Sequence, residues 1–344
     1  MSRALNVAIA GATGAVGVEI IRMLEERNFP VRSLKLLASA RSAGKKMVFK
    51  GQEIVIEELT QNSFTGIDVA FFSAGASISR EFRKAVTDAG ALMVDNSSAF
   101  RMEADIPLVV PEVNPEDIDG HHGVIANPNC STIIMLTAVA PLHRAKKLRR
   151  LVAATYQAAS GAGAKAMDEL LVQTRQILDD QPIAPAAFAH RIAFNLIPHI
   201  DAFLDTGYTK EEMKMLHESR KMLHHPTLMV SCTCVRVPVL RAHSEALNLE
   251  FENPVTPEEA RAILSTAPGV TLIDDPAAKR YPMPIDASSK DNVLVGRIRQ
   301  DASRTDGKGL DIFVSGDQIL KGAALNAVQI AEIAILRNAI SARG

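Results

Sequence analysis

The opening segment leaves the chain little choice of fold. Leu5 to Ala10 reads LNVAIA, an apolar run of strand length; Gly11 to Gly17 reads GATGAVG; and the following VEIIRMLEERN carries apolar residues at helical spacing. Strand, glycine turn and amphipathic helix form the first unit of a dinucleotide-binding domain. Glycines there let the main chain approach a pyrophosphate held at the N-terminus of a helix beginning near Ala15. The spacing of Gly11, Gly14 and Gly17 is G-x-x-G-x-x-G instead of the commoner G-x-G-x-x-G, so the place of the loop between strand and helix carries the argument. At the end of a second strand, Ser33 to Ser39, the chain reads Ala38-Ser39-Ala40-Arg41-Ser42. No carboxylate stands there for a ribose 2′-hydroxyl, and Arg41 offers a guanidinium to a 2′-phosphate, so NADP is the expected cofactor.

Alternation continues through a strand at Val69 to Ala74, a helix at Ser79 to Ala89 and a strand at Ala91 to Asp95, which predicts a parallel sheet with right-handed crossovers. The pattern changes after Pro128. A helix is expected at Ser131 to Leu142, and strands at Leu151 to Gln157, Thr227 to Val237, Ser244 to Phe251, Val293 to Gln300 and Leu310 to Ser315. Helices are not regularly placed between them, so the predicted class is α/β: an N-terminal Rossmann-like domain plus an α+β domain with a largely antiparallel sheet. The expected division is 1–128, completed by a C-terminal helix Ala323 to Ala339 within about 318–344, and 129–317.

The 344 residues suffice for two such cores. Lys and Arg number 38 against 39 Asp and Glu, with no long run of one sign, which argues against a nucleic-acid or anionic-membrane surface. Two apolar stretches invite misreading. Ala4 to Val18 follows Arg3 but is broken by three glycines and reads as a buried first strand, not a leader; Ile125 to Leu142 lacks charge but contains Asn127, Pro128, Asn129 and Pro141, which suit no membrane span. Cys130, Cys232 and Cys234 form an odd set without a disulfide framework, which points to a reducing compartment, the cytoplasm.

Cys130 lies in Asn127-Pro128-Asn129-Cys130-Ser131-Thr132, immediately before the predicted helix. Main-chain N–H groups and the helix dipole there favour a thiolate and supply donors to an oxyanion. Cys232 and Cys234 sit in a predicted strand beside Val230 and Val235 and read as core. The pairs His121-His122 and His224-His225 read as loop and helix-end residues, so no metal site is expected.

The segments GATGAVG (11–17), SAGASISR (73–80), VDNSSAFRM (94–102), PLVVPEVN (107–114), NPNCST (127–132), YQAASGAG (156–163), RVPVLRAHSEA (236–246) and KGAALNAVQIAE (321–332) together resemble the aspartate-β-semialdehyde dehydrogenases, from first strand to last helix. The resemblance implies an NADPH-dependent, reversible reduction of L-aspartyl-4-phosphate to aspartate 4-semialdehyde with release of phosphate, on the way to lysine, methionine, threonine and diaminopimelate. It also implies a homodimer paired through the second domains. By resemblance Cys130 is the nucleophile, His243 the acid/base residue and Gln157 the residue that orients substrate. Arg236 matches the arginine that grips the α-carboxylate. Arg101, Asn129 and Lys221 match the phosphate pocket, and Glu218 a carboxylate near the substrate amine. Gly11, Thr13, Gly14, Ala15, Val16, Arg41, Ser42, Ser160 and Gly161 match cofactor positions, with Gln318 and Asn326 near the nicotinamide end. Chemically, Cys130 would attack the acyl carbon, Arg101 and Lys221 would offset the phosphate charge, and His243, near its operating pKa, would donate a proton. Two alternatives stand beside this. An N-acetyl-γ-glutamyl-phosphate reductase would lack the free amine that Glu218 would bind, and a non-catalytic NADP-binding paralogue would have no use for Cys130, Gln157, Arg236 and His243 together.

Overall fold

The computed structural model describes residues 4–340. Arg3 and the outermost residues of the expected first domain, 1–3 and 341–344, lie outside the described residues. The chain divides into two compact units, one ending at Asn129 and resuming at Ala323, the other running from Cys130 to Gly322.

The first unit contains strands β1 (Leu5–Ala10), β2 (Val31–Ala38), β3 (Lys46–Phe49), β4 (Gln52–Glu58), β5 (Val69–Phe72), β6 (Leu92–Asp95) and β7 (Val124–Ala126), in the order β3-β4-β2-β1-β5-β6-β7. Every pairing is parallel except β3 with β4. β5, β6 and β7 are buried at every position, as strands covered on both faces must be, and they are apolar throughout apart from Asp95 at the end of β6. Helix α1 (Ala15–Glu26) turns Ile20, Ile21, Met23 and Leu24 to the core, and α2 (Ala76–Asp88) buries Phe82 and Val86. The C-terminal helix, Leu325–Leu336, is fastened to the residue after α1 by a two-pronged ion pair, Arg27 to Glu332, at 2.8 and 2.7 Å. Strand order reverses about β1, which has β2 on one side and β5 on the other. At such a point the two crossovers lead away in opposite directions and leave a crevice beyond the carboxyl ends.

The β3–β4 hairpin has no counterpart in the sequence reading. Its turn residues Lys50 and Gly51 have φ of +49° and +75°, the left-handed pair that a two-residue turn between twisted strands requires. Its strands carry exposed charges on an edge, which hides the apolar alternation.

The second unit contains helices α3 (Cys130–Lys146), α4 (Ala164–Leu178) and α5 (Lys210–Met222) and strands β8 (Leu148–Gln157), β9 (Met229–Arg236), β10 (His243–Phe251), β11 (Val270–Leu272), β12 (Val293–Gln300) and β13 (Gly309–Gly316), ordered β11-β12-β13-β10-β8-β9. The three central pairings are antiparallel and the two outer ones, β8/β9 and β11/β12, are parallel. α3 is buried from Ser131 to Ala140 and continues through Pro141 to Lys146, past the expected end at Leu142. It lies so close to the sheet that a Cβ on Gly316 of β13 would stand 2.9 Å from Ile134 Cγ1. Burying side chains such as Ile133, Ile134, Met135 and Leu136 contributes about 1.5–3 kcal/mol each, so the helix that begins with Cys130 is firmly seated. Register places Gln157 of β8 beside Arg236 of β9, and Tyr156 beside Ser244 of β10. The ends of β8 and β9 and the start of β10 therefore bring Gln157, Arg236 and His243 to one edge of the sheet.

Among the described residues no helix is long and apolar enough to cross a membrane.

Candidate active site

In the first unit the glycine loop is shaped by close approach. Gly11 has φ +88°, and a Cβ there would lie 2.4 Å from the carbonyl oxygen of Ser73; a Cβ on Gly17 would lie 2.2 Å from the oxygen of Gly11. Gly14 is the N-cap of α1 and supplies no capping side chain, while Thr13, Gly14 and Ala15 are exposed and Val16 is half-buried. The first N–H groups of α1 thus face outward without a side-chain acceptor, which is what a pyrophosphate needs. Gly11, Thr13 and Gly14 line a cleft of about 450 Å³ together with Ala38 and Ser39 from the end of β2 and Ser73 and Ala74 from the end of β5. Arg41 and Ser42 follow in the single turn Ala40–Ser42, Arg41 exposed and Ser42 buried.

Around the end of β6 the same unit holds a polar network. Asp95 accepts from the hydroxyls of Ser79 and Ser97, each at 2.6 Å, and burial pushes its carboxyl above the ordinary value, with those hydrogen bonds and Arg101 opposing. Arg101 is buried and donates Nε to the carbonyl of Asn127 and Nη2 to that of Asn96, both at 3.0 Å. Asn326 donates its amide to the carbonyl of Val109 and to Asn127 Oδ1. Asn129, also buried, is the last residue of this stretch.

In the second unit the helix start and the strand ends converge. Cys130 is the first residue of α3 and half-buried. Its neighbour Ser131 accepts from Gln157 Nε2 at 2.7 Å, and the same amide reaches Glu211 Oε1 at 3.2 Å. Arg236 is buried, donates Nη1 to the carbonyl of Ala158 at 2.6 Å and stands over the Phe188 ring. Burial lowers its pKa, while the charges of Cys130 and Glu211 favour its cationic form, so it faces the nucleophile electrostatically. His243 is fully buried; its Nδ1 accepts from the main-chain N–H of Ala158 at 3.1 Å, and its Nε2 has no partner. That bond fixes the tautomer with the proton on Nε2. A Cβ built on Gly161 would lie 2.9 Å from Arg236 Nη1 and 3.2 Å from His243 Nε2, so both groups converge on the one place where glycine leaves room. Gln318 is pinned by two bonds, accepting from Ala242 N–H at 2.9 Å and donating to Ser160 Oγ.

One expectation needs correction. His243 is not near its operating pKa: burial, and secondarily Arg236, push it well below the ordinary histidine value, so the ring is neutral. Its fixed Nε2–H is a hydrogen-bond donor. The buried face of α5 carries Glu211, Met215, Glu218 and Met222 at helical spacing. Glu211 Oε1 meets the Gln157 amide, and Lys214 binds Glu211 at 3.0 Å and Asp201 at 2.7 Å, while Glu218 is buried two turns further along the same helix. The sequence signal for this pair was available in KEEMK, an acidic residue three before a lysine opening a helix, but it competes with the similar ESRK on the same face. Cys232 and Cys234 are buried with thiols pushed up chiefly by burial, as core residues should be.

Residues 6–121 match the NAD-binding domain family of semialdehyde dehydrogenases and residues 139–321 their dimerisation domain family. The chain is 52% identical to the aspartate-semialdehyde dehydrogenase of Synechocystis sp. over 98% of its own length and 99% of the relative's. Its fold matches the crystal structure of aspartate semialdehyde dehydrogenase II from Vibrio cholerae complexed with ASA, with a TM-score of 0.94 and 45% identity over 97% of this chain and 99% of that one. It also matches the Candida albicans aspartate semialdehyde dehydrogenase with NADP, at a TM-score of 0.77 and 27% identity over 98% and 100% of the two chains.

Proposed function

This chain belongs to the aspartate-semialdehyde dehydrogenase family, and from that premise we propose that it interconverts L-aspartyl-4-phosphate and aspartate 4-semialdehyde with NADP(H) through a thioester on Cys130. The observation that carries the reading is the convergence of Gln157, Arg236 and the unpartnered His243 Nε2 in the unit whose central helix starts at Cys130. Arg236 receives the α-carboxylate with its planar fork, and Glu218 is assigned to the ammonium group; a buried carboxylate suits a free amine and would repel the carbonyl of an acetylated one. Arg101, Asn129 and Lys221 are assigned to the phosphate.

Cys130 attacks the acyl carbon as a thiolate, and the oxygen that gains charge accepts from His243 Nε2–H. Collapse expels phosphate and leaves the thioester. NADP(H), when bound, supplies or removes the hydride at that carbon. The second oxyanion is held by the same Nε2–H, and its collapse expels the Cys130 thiolate and frees the aldehyde. At no step does His243 have to become an imidazolium, in keeping with its burial.

The glycine cradle, the outward N–H groups of α1 and the nearby Arg41 support NADP as cofactor, as does the NADP-bound relative from Candida albicans. Thr13, Gly14, Ala15 and Val16 would hold the pyrophosphate and Arg41 with Ser42 the 2′-phosphate, with Ser160, Gly161, Gln318 and Asn326 assigned to the nicotinamide half. Three free thiols and this cofactor suit the cytoplasm. The deciding assay supplies aspartate semialdehyde and NADP and follows NADPH with and without phosphate. Formation that requires phosphate is expected; NADPH formation indifferent to phosphate would overturn the reading.

A further inference from the structure

Asp317 is fully buried, and both of its oxygens are used twice. Oδ1 accepts the N–H groups of Ile319 at 2.9 Å and Leu320 at 3.1 Å. Oδ2 accepts from Arg241 Nε and from the N–H of Ser289, each at 2.6 Å. The first pair of bonds caps a π-helical turn, Leu320–Ala324, which the bond from Gly322 N–H to the Asp317 carbonyl at 3.0 Å also closes. Turns of this kind are uncommon and concentrate at functional sites. Gly322 within it lies against the nucleophile: a Cβ there would be 2.9 Å from Cys130 Cβ and 3.3 Å from its Cα.

The second pair of bonds reaches the corner that leads into β10. Ala242, directly before His243, is buried with φ +72°, a left-handed conformation that a residue with a side chain adopts only when its surroundings impose it. Arg241 on one side is paired with Asp317, and the Ala242 N–H is held by Gln318, the residue after Asp317. One carboxylate thus bears on the support of the thiol and on the support of the imidazole.

We propose that Asp317 is a positioning residue that sets Cys130 and His243 relative to each other, one oxygen holding the turn against the nucleophile and the other the strained corner before His243. The proposal rests on the reaction assigned above and adds to it a residue that touches neither substrate nor cofactor. A charged acceptor is needed because four donors converge on it; in Asp317→Asn one oxygen remains for the turn, but an amide NH₂ is turned toward donors at Arg241 and Ser289.

The experiment measures Asp317→Asn and Arg241→Met in the full-length enzyme by steady-state kinetics and by the rate of Cys130 alkylation with iodoacetamide, located by peptide mass. Cys232 and Cys234 are buried, so alkylation reads Cys130. Misplacement by a fraction of an ångström should lower kcat of Asp317→Asn by roughly tenfold or more, with KM for aspartate semialdehyde and phosphate within about twofold, and change the alkylation rate by more than about threefold. Arg241→Met, which removes one of the four donors, should move both readouts the same way by less. A merely structural residue would lower the folded fraction and leave kcat per folded molecule and alkylation at wild-type values, and that result would overturn the proposal. If Asp317→Asn does not fold, Arg241→Met decides by the same two readouts. Should the wild type fail to oxidise aspartate semialdehyde, the reaction assignment falls and alkylation alone judges the clamp.

Discussion

Cys130, His243 and Arg41 are each assigned a role that has its own signature under substitution. Cys130→Ser should cut turnover at least about a thousandfold, because a hydroxyl at a helix start stays protonated where a thiol ionises, and the melting temperature should scarcely move. Near-normal turnover would return Cys130 to a packing role. His243 is predicted to be invisible as a titrating group near neutrality. Its pKa is depressed in the folded protein, so protonation, and the loss of the fixed Nε2–H donor geometry, occurs only well below the ordinary histidine value. The acid limb of kcat/KM should therefore lie below that value, and an acid limb centred on it that vanishes in His243→Asn would contradict the neutral-donor role. Arg41 is exposed next to the cleft, and Arg41→Ala should raise the NADPH KM by the equivalent of about 1.5–3 kcal/mol while leaving that for NADH almost unchanged.

At the scale of elements, two features are decided by what lies next to them. In the loop before α1, Gly17→Ala would drive a methyl into the Gly11 carbonyl and the Ala12 backbone, whereas the Cβ of Gly51→Ala, in the β3–β4 turn, meets nothing within 4 Å. Gly17→Ala should weaken NADPH binding by tenfold or more, roughly the effect of displacing a preorganised anion site, and Gly51→Ala should leave it unchanged at a stability cost of about 1–2 kcal/mol for the left-handed residue. Titration calorimetry with NADPH distinguishes the two. On β10, Glu245 is fully buried with neither carboxyl oxygen partnered, and burial, reinforced by Glu211, raises its pKa well above the ordinary value. The folded state then holds a proton that the unfolded chain releases, so this group's contribution to stability is present below the ordinary glutamate pKa and is lost as pH rises toward the folded value. The melting temperature of Glu245→Gln minus that of the wild type should consequently grow from acid to alkaline pH; a difference that is flat with pH would mean that Glu245 is ionised in the fold.

For the molecule as a whole, the matched dimerisation domain and the exposed apolar side chains of the second unit point the same way. Leu178, Phe194 and Phe203 are 74%, 63% and 59% exposed, apolar surface that a second copy could cover. Light scattering at micromolar concentration is expected to give twice the 37.1 kDa chain mass, and Phe194→Glu to shift it toward the single chain if that segment is covered by a second copy. A monomer across that range would exclude a stable homodimer.

Much of this protein is written in local pattern. The opening strand, glycine loop and helix, the cysteine at the start of a buried helix, and the long strands β8, β9, β10, β12 and β13 are legible because apolar periodicity and helix-start chemistry act over a few neighbouring residues. Other facts exist only after folding. That Glu211 meets Gln157 depends on where α5 stops along the sheet, since helical spacing puts Glu218 on the same buried face. That His243 is neutral follows from complete burial beside Arg236 and from the Ala158 N–H, whose place is set by the pairing of β8 with β10. Asp317 draws its four donors from three separate stretches of chain. Sequence specifies which chemical groups are present and which local elements they ride on; burial and register, which arise from contacts between distant segments, decide their charge and their partners.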